Sequence, residues 1–153
     1  MLGPIGRVAQ GIAAGSAGIA ALEIASYVDQ YRRARPASDS PTRLGRALAD
    51  RAGIDLGEGD AATNRASALG PVFGYTDGLL LGVAAAALSA TPGRSTPANA
   101  LLLTAGAWLG SNGPLIALGL TDPREWTTEE WISDLIPHAA YGVTTAVAVA
   151  LTR

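Results

Sequence analysis

Three features of the sequence predict an all-α fold, a transmembrane bundle of four helices. Four apolar stretches, at about 5–28, 67–90, 99–120 and 131–151, each approach the roughly 20 residues that cross a bilayer. Charged residues make up 16% of the chain, below the roughly 25% of soluble domains. Gly and Ala supply much of the apolar filling and there is a single Phe. Small residues let helices approach closely in lipid, where burying bulk brings no hydrophobic gain. At 153 residues the chain reads as one domain, 1–153.

The first span, about 5–28, resembles a signal peptide in position, but no cleavage-like boundary precedes Arg32, Arg33 and Arg35, so it is expected to be retained. Gly11, Gly15 and Gly18 lie along one face, continued by Leu22. Glu23, near the end of the span, either reaches the interface to pair with Arg32 or Arg33 or faces a cavity as a titratable group. Residues 29–66 form the one substantial polar region. Pro36 is expected to stop the first helix, and Ser40 before Pro41 reads as an N-cap with proline at N1. From there to Ala52, with Gly53 as a stop, Leu44 and Leu48 share a face. This short amphipathic helix either lies on the membrane surface or rests on the ends of the bundle. Gly57-Glu58-Gly59-Asp60 reads as a mobile acidic turn.

In the second span, about 67–90, Gly70, Gly74, Gly78 and Gly82 recur every fourth residue and form a bare ridge, with Asp77 among them near mid-span. A tight link around Arg94 follows. The third span, about 99–120, carries Gly106 and Gly110 and then Ser111-Asn112-Gly113-Pro114, where proline removes a donor and is expected to kink or open the helix. Open spans expose carbonyls that transporters use for ligands. The alternative is a plain kink with Asn112 bonded to a neighbouring helix. In the next loop Trp126 and Trp131 read as an interfacial belt, and Thr128 as the cap of the fourth span, about 131–151. There Asp134, His138 and Tyr141 share one face, and Pro137 is expected within the first two turns.

All eleven basic residues are Arg, which reads as a GC-rich genome rather than as chemistry. Eight of them (Arg32, Arg33, Arg35, Arg43, Arg46, Arg51, Arg65 and Arg124) fall in or beside loops one and three, against Arg7, Arg94 and Arg153 on the other side. The positive-inside rule then places those loops in the cytoplasm and both termini outside, a multi-pass protein of a bacterial plasma membrane. A faint repeat matches Gly11, Gly15, Ser16 and Gly18 to Gly106, Gly110, Ser111 and Gly113. It also matches Leu69-x-Pro71-x-x-x-Tyr75 to Leu135-x-Pro137-x-x-x-Tyr141, so a parallel two-plus-two duplication is one reading and chance in Gly/Ala-rich helices the other.

By depth, Glu23, Asp134 and His138 lie one or two turns in from the cytoplasmic face, with Asp77, Asn112 and Tyr141 deeper. Together they suggest a vestibule narrowing towards the midplane. If Asp77 titrates, proton or cation transport follows. If it stays neutral and bonded to Tyr141 or Asn112, it is structural. Asp134 and His138 also resemble a base with its orienting carboxylate, but no motif frames a nucleophile at Ser111, Thr144 or Thr145. With one His and no Cys, common zinc sets and bis-His haem are unavailable within one chain, so no metal or cofactor is expected. A net charge of −2 gives no support to nucleic-acid binding.

Three groups of residues carry a family resemblance. They are Tyr27-Val28-Asp29 with Arg35-Pro36 and Ala47, Asp50, Ala52 and Gly53; Asn64-Arg65 with Leu69-Gly70; and Asn112-Gly113-Pro114, Asp122-Pro123-Arg124-x-Trp126 and Asp134-x-x-Pro137-His138-x-x-Tyr141-Gly142. On these the chain resembles a family of small, functionally uncharacterised four-span membrane proteins found mainly in actinobacteria. The resemblance implies an integral membrane protein with a cytoplasmic first loop, and no activity or cofactor. Glu23 departs from the neutral polar residue expected there.

Two functions are consistent with these residues. One is a non-catalytic accessory or scaffold subunit whose glycine ridges (Gly11, Gly15, Gly18, Gly70, Gly74, Gly78, Gly82, Gly106 and Gly110) contact copies of itself or a larger membrane complex. That reading is favoured because the ridges exceed what one four-helix bundle needs. The other is a small proton- or ion-coupled channel or carrier with a path through Asp77, Asn112 and His138. In both the bilayer itself is a partner.

Overall fold

The computed structural model describes residues 2–89 and 95–152; the link around Arg94 and the terminal Arg153 lie outside them. The described residues form five α-helices: α1 (Pro4–Arg33), α2 (Ser40–Ala52), α3 (Gly59–Leu88), α4 (Thr96–Ala117) and α5 (Thr128–Leu151), with a 3-10 turn at Pro123–Glu125. No strand occurs among the described residues. α1, α3, α4 and α5 are each long and apolar enough to cross a membrane, which makes the chain a multi-pass integral membrane protein. The bundle runs up-down-up-down, in the cyclic order α1, α3, α4, α5. α5 is the most enclosed, with 39% of its apolar window buried against 22% in each of the other three.

Glycine sets the spacing of α1 against α3. A Cβ added at Gly15 would lie 2.7 Å from the Gly78 carbonyl oxygen, and one at Gly11 would strike the backbone of Gly82 and Val83. Only glycine on both sides permits this approach. The ridge on α3 is longer than its glycines: Ala62, Ala66, Gly70, Gly78, Gly82 and Ala86 are all buried at four-residue spacing. Gly74 is the exposed exception, with nothing within 4 Å of its Cβ position.

Boundaries shift where periodicity and hydropathy disagree. α3 begins at Gly59, about eight residues before the apolar window, and at 1.5 Å per residue its 30 residues extend about 45 Å, against a hydrocarbon core of about 30 Å. The extra turns stand clear of the apolar span and are covered by α2. Leu56 and α2's Ala49 pack with Ala62, Ala66 and Leu69, while Gly45 meets the Ala66 carbonyl and Pro41 sits on Gly70. The apolar face of α2 is therefore spent on α3 and not on a membrane surface. Gly57 to Asp60 is not a loose turn either. Asp55 accepts from the Gly57 amide at 2.7 Å, Arg65 donates to the Leu56 carbonyl at 2.8 Å, and Gly59 opens the helix. Arg43 reaches from α2 to the Leu120 carbonyl beyond the end of α4.

Capping differs by one residue at two helices. Asp39, not Ser40, precedes α2, and Thr127, not Thr128, caps α5. Thr127 and Glu130 form a reciprocal capping box, with the Glu130 amide donating to the Thr127 hydroxyl at 3.2 Å and the Glu130 carboxylate accepting from the Thr127 amide at 2.7 Å. α1 stops before Pro36, through a left-handed Ala34. α4 is not broken at Pro114. The helix runs through the proline, which forfeits the bond to the Gly110 carbonyl, on to Ala117, and Gly119 with φ of 67° ends the segment. Pro137 lies deeper in α5 than the first two turns, because that helix starts three residues earlier than its apolar window.

The two halves related by the sequence match are packed unequally. A two-fold axis relating α1–α3 to α4–α5 would make the α1–α5 and α3–α4 seams equivalent. α1 instead meets α5 along its full length, from Gln10 beside Val149 to Arg33 beside Glu129, while α3 and α4 share a short seam.

Loop three is fixed by its own charges. Asp122 accepts from the Arg124 amide at 3.0 Å and from its guanidinium at 2.7 Å. These bonds hold the Asp122 carboxyl down at about 2. A carboxyl depressed on folding stabilises fully above its ordinary value of 3.8 and loses that contribution as pH falls through about 2. Trp126, whose indole donates to Thr121 at 2.8 Å, reports on the turn. Its fluorescence is expected to stay constant from pH 7 to 4 and to change only near pH 2. In Asp122→Asn it should lack that acid transition.

Candidate functional site

The polar residues of α4 and α5 meet in one layer. His138 is 8% exposed and Asn112 4%. His138 Nδ1 lies 2.6 Å from the Asp134 carbonyl oxygen, and since a carbonyl only accepts, Nδ1 carries a proton. In the neutral ring Nε2 then accepts from the Ser111 hydroxyl, 2.8 Å away. The Asn112 amide donates to both Asp134 carboxylate oxygens, at 3.3 and 3.2 Å, and to Ser111 Oγ at 3.4 Å. Helix geometry builds this layer. Asp134 and His138 are one turn apart on the face of α5 that meets α4, and Ser111 and Asn112 sit opposite because the two helices are antiparallel.

Asp77 approaches the same layer from α3. Its carboxylate lies over Gly110 of α4, where any Cβ would collide with it, and it is within electrostatic reach of His138. At 1.5 Å per residue it sits about 16 Å from the outer end of α3, close to mid-membrane. Among the described residues no hydrogen bond reaches it. Neither Tyr141 nor Asn112 bonds it: the Tyr141 hydroxyl donates to the Gly78 carbonyl at 2.6 Å, and Asn112 is committed to Asp134. Asp29 and Asp134 both have partners. Arg33 and Arg35 hold Asp29 at 2.9 and 2.6 Å.

Of the six groups expected to line a vestibule, Asn112, Asp134 and His138 come together, Asp77 flanks them and Tyr141 lies one turn away. Asn112 is level with Asp134, not deeper. Glu23 stays apart, beside Tyr27 on its own helix, and does not pair with Arg32 or Arg33. The layer is packed rather than open. Tyr141 is 1% exposed, and beyond it Ala14, Ala86 and Val149 seal the end that carries the termini. Surface grooves of ≈420 Å³ beside Leu2 and Val83 and ≈700 Å³ beside Leu120 and Arg124 lie at the two ends of the bundle, away from the polar layer.

Sequence reasoning missed two participants. Ser111 was visible only as an unframed hydroxyl, and its contact with His138 depends on how α4 rotates against α5. Trp108 joins Trp126 and Trp131 in a three-ring cluster, stacked on Trp131 at 5.9 Å and edge-on to Trp126 at 6.2 Å. Its indole N–H is buried without an acceptor, as is the Thr145 hydroxyl that faces Gly18. The three tryptophans thus form one cluster.

Ser111 and His138 stand at the distance of a nucleophile and its base. Acyl transfer also needs donors aimed at a developing oxyanion. Ser111 is inside a helix, where backbone N–H groups are committed to the ladder, and the neighbouring Asn112 amide is committed to Asp134. Among the described residues no group of three or more His, Cys, Asp or Glu could hold a metal ion. No family model, curated protein or solved structure matches the chain.

Proposed function

We propose that this membrane protein handles protons, with Asp77 as the group that takes up and releases one and His138, Ser111, Asn112 and Asp134 as the bonded row between it and the arginine-rich end. The observation that carries this reading is Asp77 itself, a mid-span carboxylate with no hydrogen-bond partner among the described residues, beside a histidine already linked to a second carboxylate. An unbalanced charge at that depth is costly, so the carboxylate calls for a proton or a cation, and His138 stands within electrostatic reach of it. On the positive-inside rule the arginine-rich end is cytoplasmic, both termini are outside and the membrane is a bacterial plasma membrane. The chain is grouped here with the actinobacterial four-span proteins it resembles.

The accessory-subunit reading is kept second, because most of the glycine ridges pack within one chain. Gly11, Gly15, Gly18, Gly70, Gly78, Gly82 and Gly110 all abut other elements of the same molecule. Gly74 alone of that set remains bare. Gly74→Leu is the test of this second reading: a smaller species by native mass spectrometry would restore self-assembly through that face.

The primary reading is tested in proteoliposomes holding a pH-sensitive dye. An imposed potential should drive proton entry in wild type and at least ten-fold less in Asp77→Asn, with Asp122→Asn unchanged. Wild-type flux no greater than that of protein-free vesicles would overturn it.

A further inference from the structure

We propose that the groove between α1 and α3, at the end of the bundle that carries the termini, holds an anionic phospholipid, with its phosphate on Arg7 and an acyl chain along the apolar wall. The groove of ≈420 Å³ is lined by Leu2, Pro4, Arg7 and Val8 on one side and by Val83 and Ala87 of α3 on the other. Arg7 is the one charge among apolar neighbours. Gly15 meets the Gly78 carbonyl, one residue from mid-span Asp77, and Arg7 lies eight residues further out, about 12 Å at 1.5 Å per residue. Half of the hydrocarbon core is about 15 Å. The Arg7 side chain turns outward, where its Nε donates to the Leu2 carbonyl at 3.3 Å, and so carries the guanidinium to headgroup level. Val83 lies deeper, beside Gly11. The groove is therefore charged at the membrane boundary and apolar towards the interior.

Charge balance selects the occupant. No Asp or Glu occurs in residues 1–22, 78–121 or 135–153, so no carboxylate side chain lies on the termini side of Asp77 to set against Arg7. The bond to Leu2 engages one guanidinium donor, and among the described residues the others have no protein acceptor. An unpaired guanidinium at the edge of the hydrocarbon is costly, and a phosphate matches its planar fork of donors. A soluble anion would meet the charge and leave the apolar wall bare. A phospholipid meets both, because its phosphate and its acyl chain are joined at this same boundary. A net anionic headgroup is preferred to a zwitterionic one, whose ammonium offsets the phosphate.

The test places the full chain in nanodiscs of equal phosphatidylglycerol and phosphatidylcholine with identical acyl chains, releases it, and weighs the retained lipid by native mass spectrometry. Wild type should retain phosphatidylglycerol over phosphatidylcholine by about five-fold, the worth of one arginine near an anionic surface. Arg7→Gln should lose that excess. Arg32→Gln, the same charge change on an exposed residue at the opposite end, should keep it. Ala87→Phe fills the groove from an exposed position and leaves Arg7 in place. It should lose the retained lipid while melting within a few degrees of wild type. Equal retention of both lipids by wild type, an excess that survives Arg7→Gln, or an equal loss in Arg7→Gln and Arg32→Gln would overturn the proposal. So would undiminished retention by folded Ala87→Phe.

Discussion

Replacing Gly82 with leucine is expected to prevent α1 and α3 from closing and to leave little folded protein. A Cβ on Gly82 would fall on the Gly11 carbonyl oxygen and lie 2.7 Å from the Gly15 Cα, both backbone atoms that cannot rotate away. Overpacking a tight core typically costs about 1–3 kcal/mol when side chains can yield. Here two helix axes must separate, so the cost is expected to exceed about 3 kcal/mol. Thermal unfolding in detergent, followed by circular dichroism, should show a loss of the cooperative transition. Gly74→Leu is the matched control on the same helix. Its Cβ position is open, and it should melt within a few degrees of wild type. Equal destabilisation by the two substitutions would mean that α1 does not pack on α3 as described.

Tyr141→Ala should be the next most damaging change. Tyr141 is 1% exposed and stands where α1, α3 and α5 meet: its ring lies against Gly18 of α1, and its hydroxyl donates to the Gly78 carbonyl of α3 at 2.6 Å. Truncating a buried aromatic costs about 3–5 kcal/mol in water-soluble cores, where a transfer term and a cavity term add. In lipid the transfer term is small, and the lost packing and cavity remain. A cost of about 3 kcal/mol is expected. Tyr141→Phe removes only the interhelical bond, and such bonds average about 0.6 kcal/mol in membranes, with a maximum of about 1.7. Chemical unfolding in mixed micelles should therefore rank wild type above Phe and Phe well above Ala. A Phe variant as weak as Ala would show that the hydroxyl, rather than the ring, holds the three helices.

These two sites differ in how visible they are from the chain alone. Gly82 belongs to a four-residue repeat, and that period marks a helix face before any partner is known. Its partner is not encoded in the same way. The ridge reads equally as a contact with another copy or with another span, and only the position of α1 shows that Gly11 and Gly15 use it. Tyr141 is legible as sharing a face with His138 and Asp134, yet its bond goes to a backbone carbonyl on α3, which no side-chain pattern reveals. Asp77 shows the same limit from the other side. Its depth follows from counting residues, but its lack of a partner depends on where Tyr141 and Asn112 send their donors.

Composition and period, which are local properties, determined the number of spans, their approximate limits, the short helix in the first long loop and the small-residue faces. Lipid enforces this, because a backbone in hydrocarbon must satisfy its own hydrogen bonds as a helix. Helix rotation and neighbour order were decided by the tertiary structure. They gave Ser111 to His138 and Asn112 to Asp134, and turned α2 onto the protruding end of α3. The physical reason is that a four-residue ridge fits several grooves almost equally well, and the choice among them is made by the packing of all the helices at once.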